Sequence, residues 1–356
     1  MEKSVLRDGA IENFDPNGMG IPGRLFGLPF DKNNASIVII PIPWEVTVSY
    51  HNGAARGPSA ILDASIQVDL FIRDVPNAWK VGIAMLKIPD KLHEESSRLR
   101  ELAIQHVKRI ENGIQVNSDD PLLTRINEEC ENLNIYVKSS VKSLLSQGKL
   151  VGLLGGDHST PLGFIRALSE QYERFGILQI DAHADLRKSY QGFSYSHASV
   201  MYNALKLPAV HRLVQVGIRD LCEEEMSIIA RAKGRVVTFF DDDIQSEKYR
   251  GKTWSDICDK IVASLPDDVY ISFDIDGLDP KFCPNTGTPV PGGLEFSEVA
   301  FLLRKLIKAK KRIIGFDLVE VAPSSHSDWD ANVAARMLYQ LSNLMAVSRG
   351  KLALTQ

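Results

Sequence analysis

Three stretches carry most of the structural information in this 356-residue chain: GLLGGDHST (152–160), LQIDAHAD (178–185) and YISFDIDG (270–277). In each, an apolar run leads directly into acidic residues or histidines. Apolar runs of five or six residues that do not alternate with polar ones are typical of strands buried on both faces of a parallel sheet. Because ligands of such sheets bind beyond the carboxyl ends of the strands, we expect these polar groups to meet at one edge.

More apolar runs indicate that the sheet is larger, namely SIVIIP (36–41), RLVQV (212–216), RVVTFF (235–240) and RIIGF (312–316). Stretches with helical spacing lie between the runs, at 161–172, 223–233, 254–264, 296–309 and 328–347. Strands that alternate with helices imply a parallel sheet with helices on both faces. The sequence therefore predicts an α/β fold with a mostly parallel sheet.

The segment from about 91 to 147 differs from the rest, because it contains two long charged helical patterns, at 94–111 and 122–145. The linker between them, NGIQVNSDDP, carries turn residues and a helix start near Ser118. We interpret this segment as a helical insertion or flanking layer within a single domain of residues 1–356.

Composition and charge exclude several classes of protein. Charged residues make up 24% of the chain and the formal net charge is −4, so nothing indicates an electrostatic grip on nucleic acid or an acidic membrane. No stretch approaches the roughly 18 apolar residues that span a bilayer. The opening stretch, MEKSVLRDGAIENFDPNG, lacks the apolar run of a signal peptide. We expect a soluble, cytoplasmic protein without nucleic-acid or membrane partners.

Two groups of polar residues are given no chemical role. The triplet Asp241–Asp243 follows an apolar run and is expected to form a solvated or capping turn, since no histidine stands nearby. The cysteines show no CxxC spacing and resemble no secreted disulfide framework, so we expect four reduced thiols. Cys283 lies near an acidic motif, but we assign it to packing.

The acidic motifs themselves predict a metal centre. Residues two apart in an extended segment project to the same side, so Asp181, His183 and Asp185 can converge, as can Asp274 and Asp276. Four ionised carboxylates within a few ångströms of one another repel strongly in a low-dielectric cleft. Two divalent cations carry the four positive charges that balance them.

The two histidines of these motifs, His158 and His183, would stay neutral as ligands. Oxygen-rich ligation with some imidazole favours Mn²⁺, with Fe²⁺, Co²⁺ or Ni²⁺ as alternatives. Asp157 stands beside His158 and is expected to orient a ligand or support the turn instead of binding metal.

These motifs resemble those of the ureohydrolases, the arginase and agmatinase family. The resemblance runs from IPWEVTVSYHNGAARGPSAI (42–61) to EVAPSS (320–325), and its specific parts are GGDHS, DAHAD and SFDIDGLDP. It implies one three-layer α/β/α domain of the arginase-like fold, a pair of manganese ions, and a homo-oligomer, either a trimer or a hexamer.

The resemblance also implies roles for individual residues. One metal would be held by His158, Asp181, Asp185 and Asp274, and the other by Asp181, His183, Asp274 and Asp276. Asp185 would also accept a hydrogen bond from the hydroxide nucleophile. His197, in YSHAS, would shuttle protons or position the substrate, and a histidine with a near-neutral pKa suits the first task. Glu320, in DLVEVAP, would pair with the substrate's guanidinium in a bidentate fork.

Within the family, DAHADLRKSYQGFSYSHAS (181–199) and GIRDLCEEE (217–225) look like agmatinases, which convert agmatine to putrescine and urea. Arginases usually carry an asparagine soon after DAHxD, where this chain has Leu186 and Arg187. The chain is longer than a typical agmatinase, mainly through the helical segment, which would alter the choice of substrate if it lined the entrance. Guanidinobutyrate, other guanidino acids and free guanidine therefore remain open as substrates, and arginine is less favoured.

Two other classes of protein share this fold. One is a deacetylase that uses a single zinc ion, and the other is a regulator without catalytic activity. A deacetylase needs fewer carboxylates, and a regulator is expected to have lost at least one ligand. The complete set of six candidate ligands argues against both.

Overall fold

The computed structural model of the chain describes residues 11–355. Part of the opening stretch used to predict the absence of a signal peptide, residues 1–10, lies outside this range. Within it, eight parallel strands form one sheet: β1 (Ile37–Ile42), β2 (Ile83–Met85), β3 (Leu150–Gly155), β4 (Phe175–Ile180), β5 (Val210–Ile218), β6 (Val236–Phe240), β7 (Asp268–Asp274) and β8 (Arg312–Val319). Their spatial order is β2-β1-β3-β8-β7-β4-β5-β6.

The helices of the described residues connect these strands: α1 (Gly57–Ser65), α2 (Asp90–Glu111), α3 (Pro121–Ser146), α4 (Leu162–Gln171), α5 (Val200–Ala204), α6 (Glu223–Arg231), α7 (Asp241–Tyr249), α8 (Trp254–Ala263), α9 (Phe296–Lys308) and α10 (Trp329–Ser348). All seven predicted strands and all seven predicted helices are present, with small shifts at their ends. The sequence did not predict β2, because three residues are too few to show a periodic pattern.

Helices cover both faces of the sheet, so the structure has three layers. Successive side chains of a strand point to opposite faces. In β1, Ile37 and Ile39 pack in one apolar layer with α1, α8, α9 and α10. Val38 and Ile40 pack in the other layer, with α3, α4 and α5. The predicted α/β fold with a parallel sheet is confirmed, and the three layers agree with what the resemblance implied.

The predicted helical segment consists of α2 and α3. Asp120 caps α3, two residues after the expected start, by accepting hydrogen bonds from the backbone N–H groups of Leu122 and Leu123. Nε2 of His106 on α2 lies 2.8 Å from the carbonyl oxygen of Gln191. The side chain of Asn127 on α3 accepts a hydrogen bond from the backbone N–H of Ser194. Both helices thus hold the loop that follows β4 from its outer side.

Asp241–Asp243, expected to form a solvated or capping turn, form the first turn of α7, where Asp242 and Asp243 are exposed. Carboxylates are favourable there, since the first turn of a helix carries unpaired backbone N–H groups and the positive end of its dipole. Asp241 is buried, and its carboxylate accepts a hydrogen bond from the backbone N–H of Gly293.

None of the helices within residues 11–355 is long and apolar enough to cross a bilayer.

Gly152 in β3 allows close contact between neighbouring strands, which predicts a measurable effect of adding one methyl group. A Cβ at this position would lie 2.5 Å from Cζ of Phe316 and 2.8 Å from Cδ1 of Ile39. Overpacking of a dense core costs about 1–3 kcal/mol, so Gly152→Ala should lower the melting temperature. In a Phe316→Leu background the same substitution should cost less, because the ring has been removed. Equal losses in both backgrounds, measured by calorimetry, would contradict this account.

Candidate metal centre

All six predicted ligands lie at the carboxyl ends of three strands near the middle of the sheet. His158 follows β3, the residues of the DAHAD motif follow β4, and Asp274 and Asp276 stand at the end of β7. Because β7 is the neighbour of β4, and only β8 separates it from β3, the three motifs meet in space although about 90 residues separate the second from the third.

His158 is the centre of the first cluster. Its Nδ1 atom lies 3.0 Å from Oδ2 of Asp181, 2.9 Å from Oδ2 of Asp185 and 3.2 Å from Oδ2 of Asp274. All four residues are buried, and the ligand atoms of His158, Asp181 and Asp185 lie within 4.8 Å of one another. When a cation binds two ligand atoms at right angles, each at about 2.1 Å, those two atoms lie about 3.0 Å apart. The distances from Nδ1 of His158 to the three carboxylate oxygens fit this value.

The hydrogen bonds behind His158 define the state of its ring. The Ser272 hydroxyl donates to Oδ1 of Asp317, so its oxygen accepts from Nε2 of His158 at 2.9 Å. With the proton on Nε2, Nδ1 carries a lone pair, and this buried atom has no hydrogen-bond partner. A lone pair that faces three carboxylates needs positive charge between them. The donor set therefore fits a divalent cation.

His183 leads the second cluster. Its Nδ1 atom lies 3.0 Å from Oδ2 of Asp276 and 3.7 Å from Oδ1 of Asp181. Asp181 belongs to both clusters, with one oxygen near each histidine, which is the position of a bridging ligand. The His183 side chain is 23% exposed, whereas His158 is 1% exposed, so the centre opens to solvent on the side of His183.

The pKa shifts of these residues are consistent with a site that binds positive charge. Burial, together with the charge of Asp181, raises the pKa of Asp185 to about 7, and burial also raises the pKa of Asp274 well above its usual value. Burial alone would lower the pKa of His158, but the carboxylates around it raise that pKa well above its usual value. Without a cation, the centre would therefore hold extra protons, and cation binding would release them.

Asp157 lies outside both clusters. Its Oδ1 accepts a hydrogen bond from the backbone N–H of Ser159 at 3.0 Å and another from the Ser159 hydroxyl. Its own backbone N–H donates to the carbonyl oxygen of Trp44. Cys283 is also away from the ligand atoms, with its sulfur directed at the carbonyl oxygen of Asp330. The two residues support the surrounding loops.

Glu320 is buried at the end of β8, beside the first cluster. Its Oε1 accepts a hydrogen bond from the backbone N–H of His158 at 2.8 Å. Its φ angle of 62° is rare for a residue other than glycine, and the strained backbone is held by hydrogen bonds to Gly156 and Thr286. Burial and the nearby Asp157 raise the pKa of Glu320 well above its usual value. A cationic partner would be required to keep this carboxylate ionised.

His197 lies on a short 3-10 helix (His197–Ser199) and lines a cavity that leads to the metal centre. Its Nε2 atom is 3.4 Å from the hydroxyl oxygen of Ser49, and its buried Nδ1 has no partner. Burial lowers the pKa of His197 to about 3. The pKa lies below the near-neutral value expected from the sequence, because positive charge on His183 and His158 adds to the effect of burial. At neutral pH His197 is therefore uncharged.

A cavity of about 140 Å³ leads to the centre and is lined by loops that follow the strands. The sequence did not identify most of its wall, which includes Ser49, Tyr190, Asp220 and Thr288. Only the tertiary structure identifies these four residues as part of the cavity wall, because their local sequence carries no motif. Arg187 also lines the cavity. Its guanidinium carbon lies 4.9 Å from the centre of the Tyr190 ring, and its Nε is 3.8 Å from Glu225.

Comparisons with known proteins agree with this geometry. The profile of the arginase family matches residues 35–343. The chain is 33% identical to the N(1)-aminopropylagmatine ureohydrolase of Thermus thermophilus, over 91% of this chain and 94% of that protein. It is 28% identical to the agmatinase of Pyrococcus horikoshii, over 89% and 94% of the two chains. Among solved structures, the agmatine ureohydrolase of Thermoplasma volcanium is similar with a TM-score of 0.70 and 25% identity, over 92% and 96% of the chains.

The geometry predicts that metal-free protein takes up two divalent cations per chain. Calorimetric titration with Mn²⁺ should saturate near two, and saturation at one would contradict a dinuclear centre. The Asp274→Asn variant should bind less metal, because it loses a charged carboxylate that lies 3.2 Å from Nδ1 of His158. As a matched control, Asp157→Asn should keep both ions, since Asp157 contacts neither cluster.

The same titration should depend on pH. Because the pKa of Asp185 is raised to about 7, protons compete with the cations below that pH. Affinity for Mn²⁺ should therefore fall as the pH is lowered from 8 to 6, and protons should be released on binding. A constant affinity over this interval would show that the carboxylates are already ionised without metal.

Proposed function

The chain belongs to the arginase family, and on that basis we propose that it hydrolyses a guanidinium compound to urea and an amine at a centre with two divalent cations. The observation that supports this most directly is the position of Nδ1 of His158, which lies 2.9, 3.0 and 3.2 Å from carboxylate oxygens of three buried aspartates. Neither a single-zinc deacetylase nor a regulator without activity needs so many carboxylates at one point.

We assign the ligands as the resemblance implies them. His158, Asp181, Asp185 and Asp274 would hold one cation, and Asp181, His183, Asp274 and Asp276 would hold the other. Bound cations lower the pKa of water and so supply hydroxide near neutral pH. We propose Mn²⁺ as the metal, with Ni²⁺, Co²⁺ or Fe²⁺ as alternatives, because oxygen donors outnumber the two imidazoles.

Glu320 holds the substrate in this proposal. A buried carboxylate whose pKa is raised gains a partner when a guanidinium enters, since the planar cation presents paired N–H donors. Oε1 is already bonded to the backbone of His158, so the guanidinium carbon would be held directly beside the first cluster. This contact would restrict the carbon to one approach by the nucleophile.

Asp185 and His197 move protons. Asp185 accepts a hydrogen bond from the attacking hydroxide and so orients it toward the guanidinium carbon. A C–O bond forms, and the tetrahedral intermediate collapses as one C–N bond breaks. His197 starts uncharged and would either position the substrate or pass a proton to the departing amine nitrogen, the two roles that the resemblance implies. The products are urea and the free amine.

Agmatine is the first candidate substrate, giving putrescine in polyamine metabolism, because the motifs look like those of agmatinases. Two relatives carry the names agmatinase and N(1)-aminopropylagmatine ureohydrolase. Arg187 favours a second candidate, a guanidino acid such as guanidinobutyrate, because its guanidinium at the cavity wall could pair with a carboxylate tail. Asp220 on the same wall would instead suit the amine of agmatine.

Other properties of the chain follow the resemblance and remain proposals. We propose a homo-oligomer, a trimer or a hexamer, in the cytoplasm. We also keep the interpretation of 91–147 as a helical insertion or flanking layer of a single domain.

The role of His197 predicts that His197→Asn keeps the metal and loses rate. The substitution removes the group that carries the proton but none of the proposed ligands, so urea release should slow by roughly 10²–10⁴-fold. Metal content, measured on the same sample, should stay at the wild-type value. A parallel loss of metal and activity would mean that His197 is a ligand or a structural residue.

Substrate choice can be measured with agmatine, aminopropylagmatine, arginine, guanidinobutyrate, guanidinopropionate and free guanidine, each assayed for urea. We expect kcat/KM for agmatine to exceed that for arginine by at least roughly tenfold, which requires about 1.4 kcal/mol of differential transition-state binding. Arg187→Gln separates the two candidates. It should lower kcat/KM for guanidinobutyrate about tenfold or more if that carboxylate binds Arg187, because hydrogen bonds to charged groups contribute about 1.5–3 kcal/mol.

In the same panel, the rate with agmatine should not fall in Arg187→Gln, since agmatine has no carboxylate. Urea from guanidine or a guanidino acid, with agmatine inert, would exclude the agmatinase assignment and leave the hydrolysis of guanidinium compounds intact.

A further inference from the structure

A line of polar side chains crosses three strands behind the metal centre. Gln179 of β4 stands opposite Gln215 of β5, and Gln215 stands opposite Thr238 of the edge strand β6. Both glutamines are completely buried in strands that are otherwise mostly apolar. A buried amide without partners is unfavourable by about 1–3 kcal/mol, so two of them at matching positions require an explanation.

Every polar atom of these amides has a partner. Nε2 of Gln179 donates to Oδ2 of Asp181 at 2.8 Å and to the carbonyl oxygen of His183 at 3.2 Å. Nε2 of Gln215 donates to Oε1 of Gln179 and to the carbonyl oxygen of Ala184, both at 2.8 Å. The Thr238 hydroxyl donates to Oε1 of Gln215, also at 2.8 Å.

The direction of this chain of hydrogen bonds is fixed by its end at the metal centre. An ionised carboxylate and a backbone carbonyl only accept, so Gln179 must turn its NH₂ group toward Asp181. The amide oxygen of Gln179 then faces Gln215, which must donate a hydrogen bond to it from its own NH₂ group. The oxygen of Gln215 is left for the hydroxyl of Thr238. Neither amide can flip without breaking at least two hydrogen bonds.

We propose that Thr238, Gln215 and Gln179 form a positioning relay that holds Asp181 and His183 in the geometry for cation binding. The inference rests on the proposed function, because it takes Asp181 and His183 as ligands. Asp181 has an oxygen near each histidine, so a rotation of its carboxylate would disturb both clusters at once. Gln179 restrains that rotation at Oδ2, while the backbone N–H of His183 restrains it at Oδ1.

The relay makes a graded prediction for metal affinity. Gln179→Leu should weaken Mn²⁺ binding by roughly 10–100-fold, as loss of an outer partner of a ligand does. Thr238→Val, which keeps the shape and removes the hydroxyl, should weaken binding by about two- to tenfold, the effect of one neutral hydrogen bond. Thr238→Ser should restore the affinity, because it returns the hydroxyl.

A double-variant cycle distinguishes a relay from general loosening of the sheet. If Thr238 acts through Gln179, Thr238→Val should have no further effect on metal affinity in the Gln179→Leu background. A general control is Asn343→Leu, which removes another buried amide, in α10, far from the relay in the chain. This variant should change thermal stability but leave metal affinity at the wild-type value.

The experiment titrates metal-free full-length protein with Mn²⁺ by calorimetry and records melting temperatures for the same samples. Equal weakening by Thr238→Val in both backgrounds, or unchanged affinity in Gln179→Leu, would overturn the relay. If Gln179→Leu does not fold, the comparison of Thr238→Val with Thr238→Ser still decides, because equal affinities in these two variants would also overturn it.

The relay and the proposed function can fail separately. Weakened metal binding in the variants, together with wild-type protein that releases no urea from any guanidino compound, would keep the relay and reject the function. Urea release by wild-type protein, with unchanged metal affinity in the variants, would keep the function and reject the relay.

Discussion

Four carboxylates and two imidazoles at one buried edge of a sheet need balancing positive charge, and the rest of the site depends on this constraint. Carboxylates buried close together in a low-dielectric site repel one another, so they cannot all remain ionised without a cation. The structure shows the consequence in the raised pKa values of Asp185 and Asp274. Two divalent cations balance the four carboxylates without added protons, and they provide the charge that activates water.

The candidate ligands are themselves held in position by hydrogen bonds from residues around them. Ser272 and Asp317 set the tautomer of His158 from one side. On another side Gln179 of β4 contacts Asp181, and Gln215 of β5 contacts Gln179. These partners lie within or between the strands of the sheet. The sheet therefore does more than bring the motifs together, because its interior also orients the ligand atoms. A cation centre built in this way needs little rearrangement when metal binds.

The helical segment of α2 and α3 affects the site from outside. Among the described residues, those that line the cavity belong to other parts of the chain, so the two helices do not form its wall. They contact the loop after β4, through His106 and Asn127, at residues 191–194. That loop carries Arg187 and Tyr190 on its way to His197. If α2 and α3 influence substrate choice, they would do so through the position of this loop.

The sequence by itself determined the parallel sheet and the six candidate ligands, because apolar runs and polar residues spaced two apart are local patterns that can be recognised without coordinates. It also supplied His197 and Glu320 through the family motifs. Tertiary structure decided the properties that depend on residues far apart in the chain. The low pKa of His197 comes from burial by other segments, and the cavity wall comes from loops far apart in the chain. The pairing of Gln179 with Gln215 and Thr238 required the strand register, which no single strand encodes.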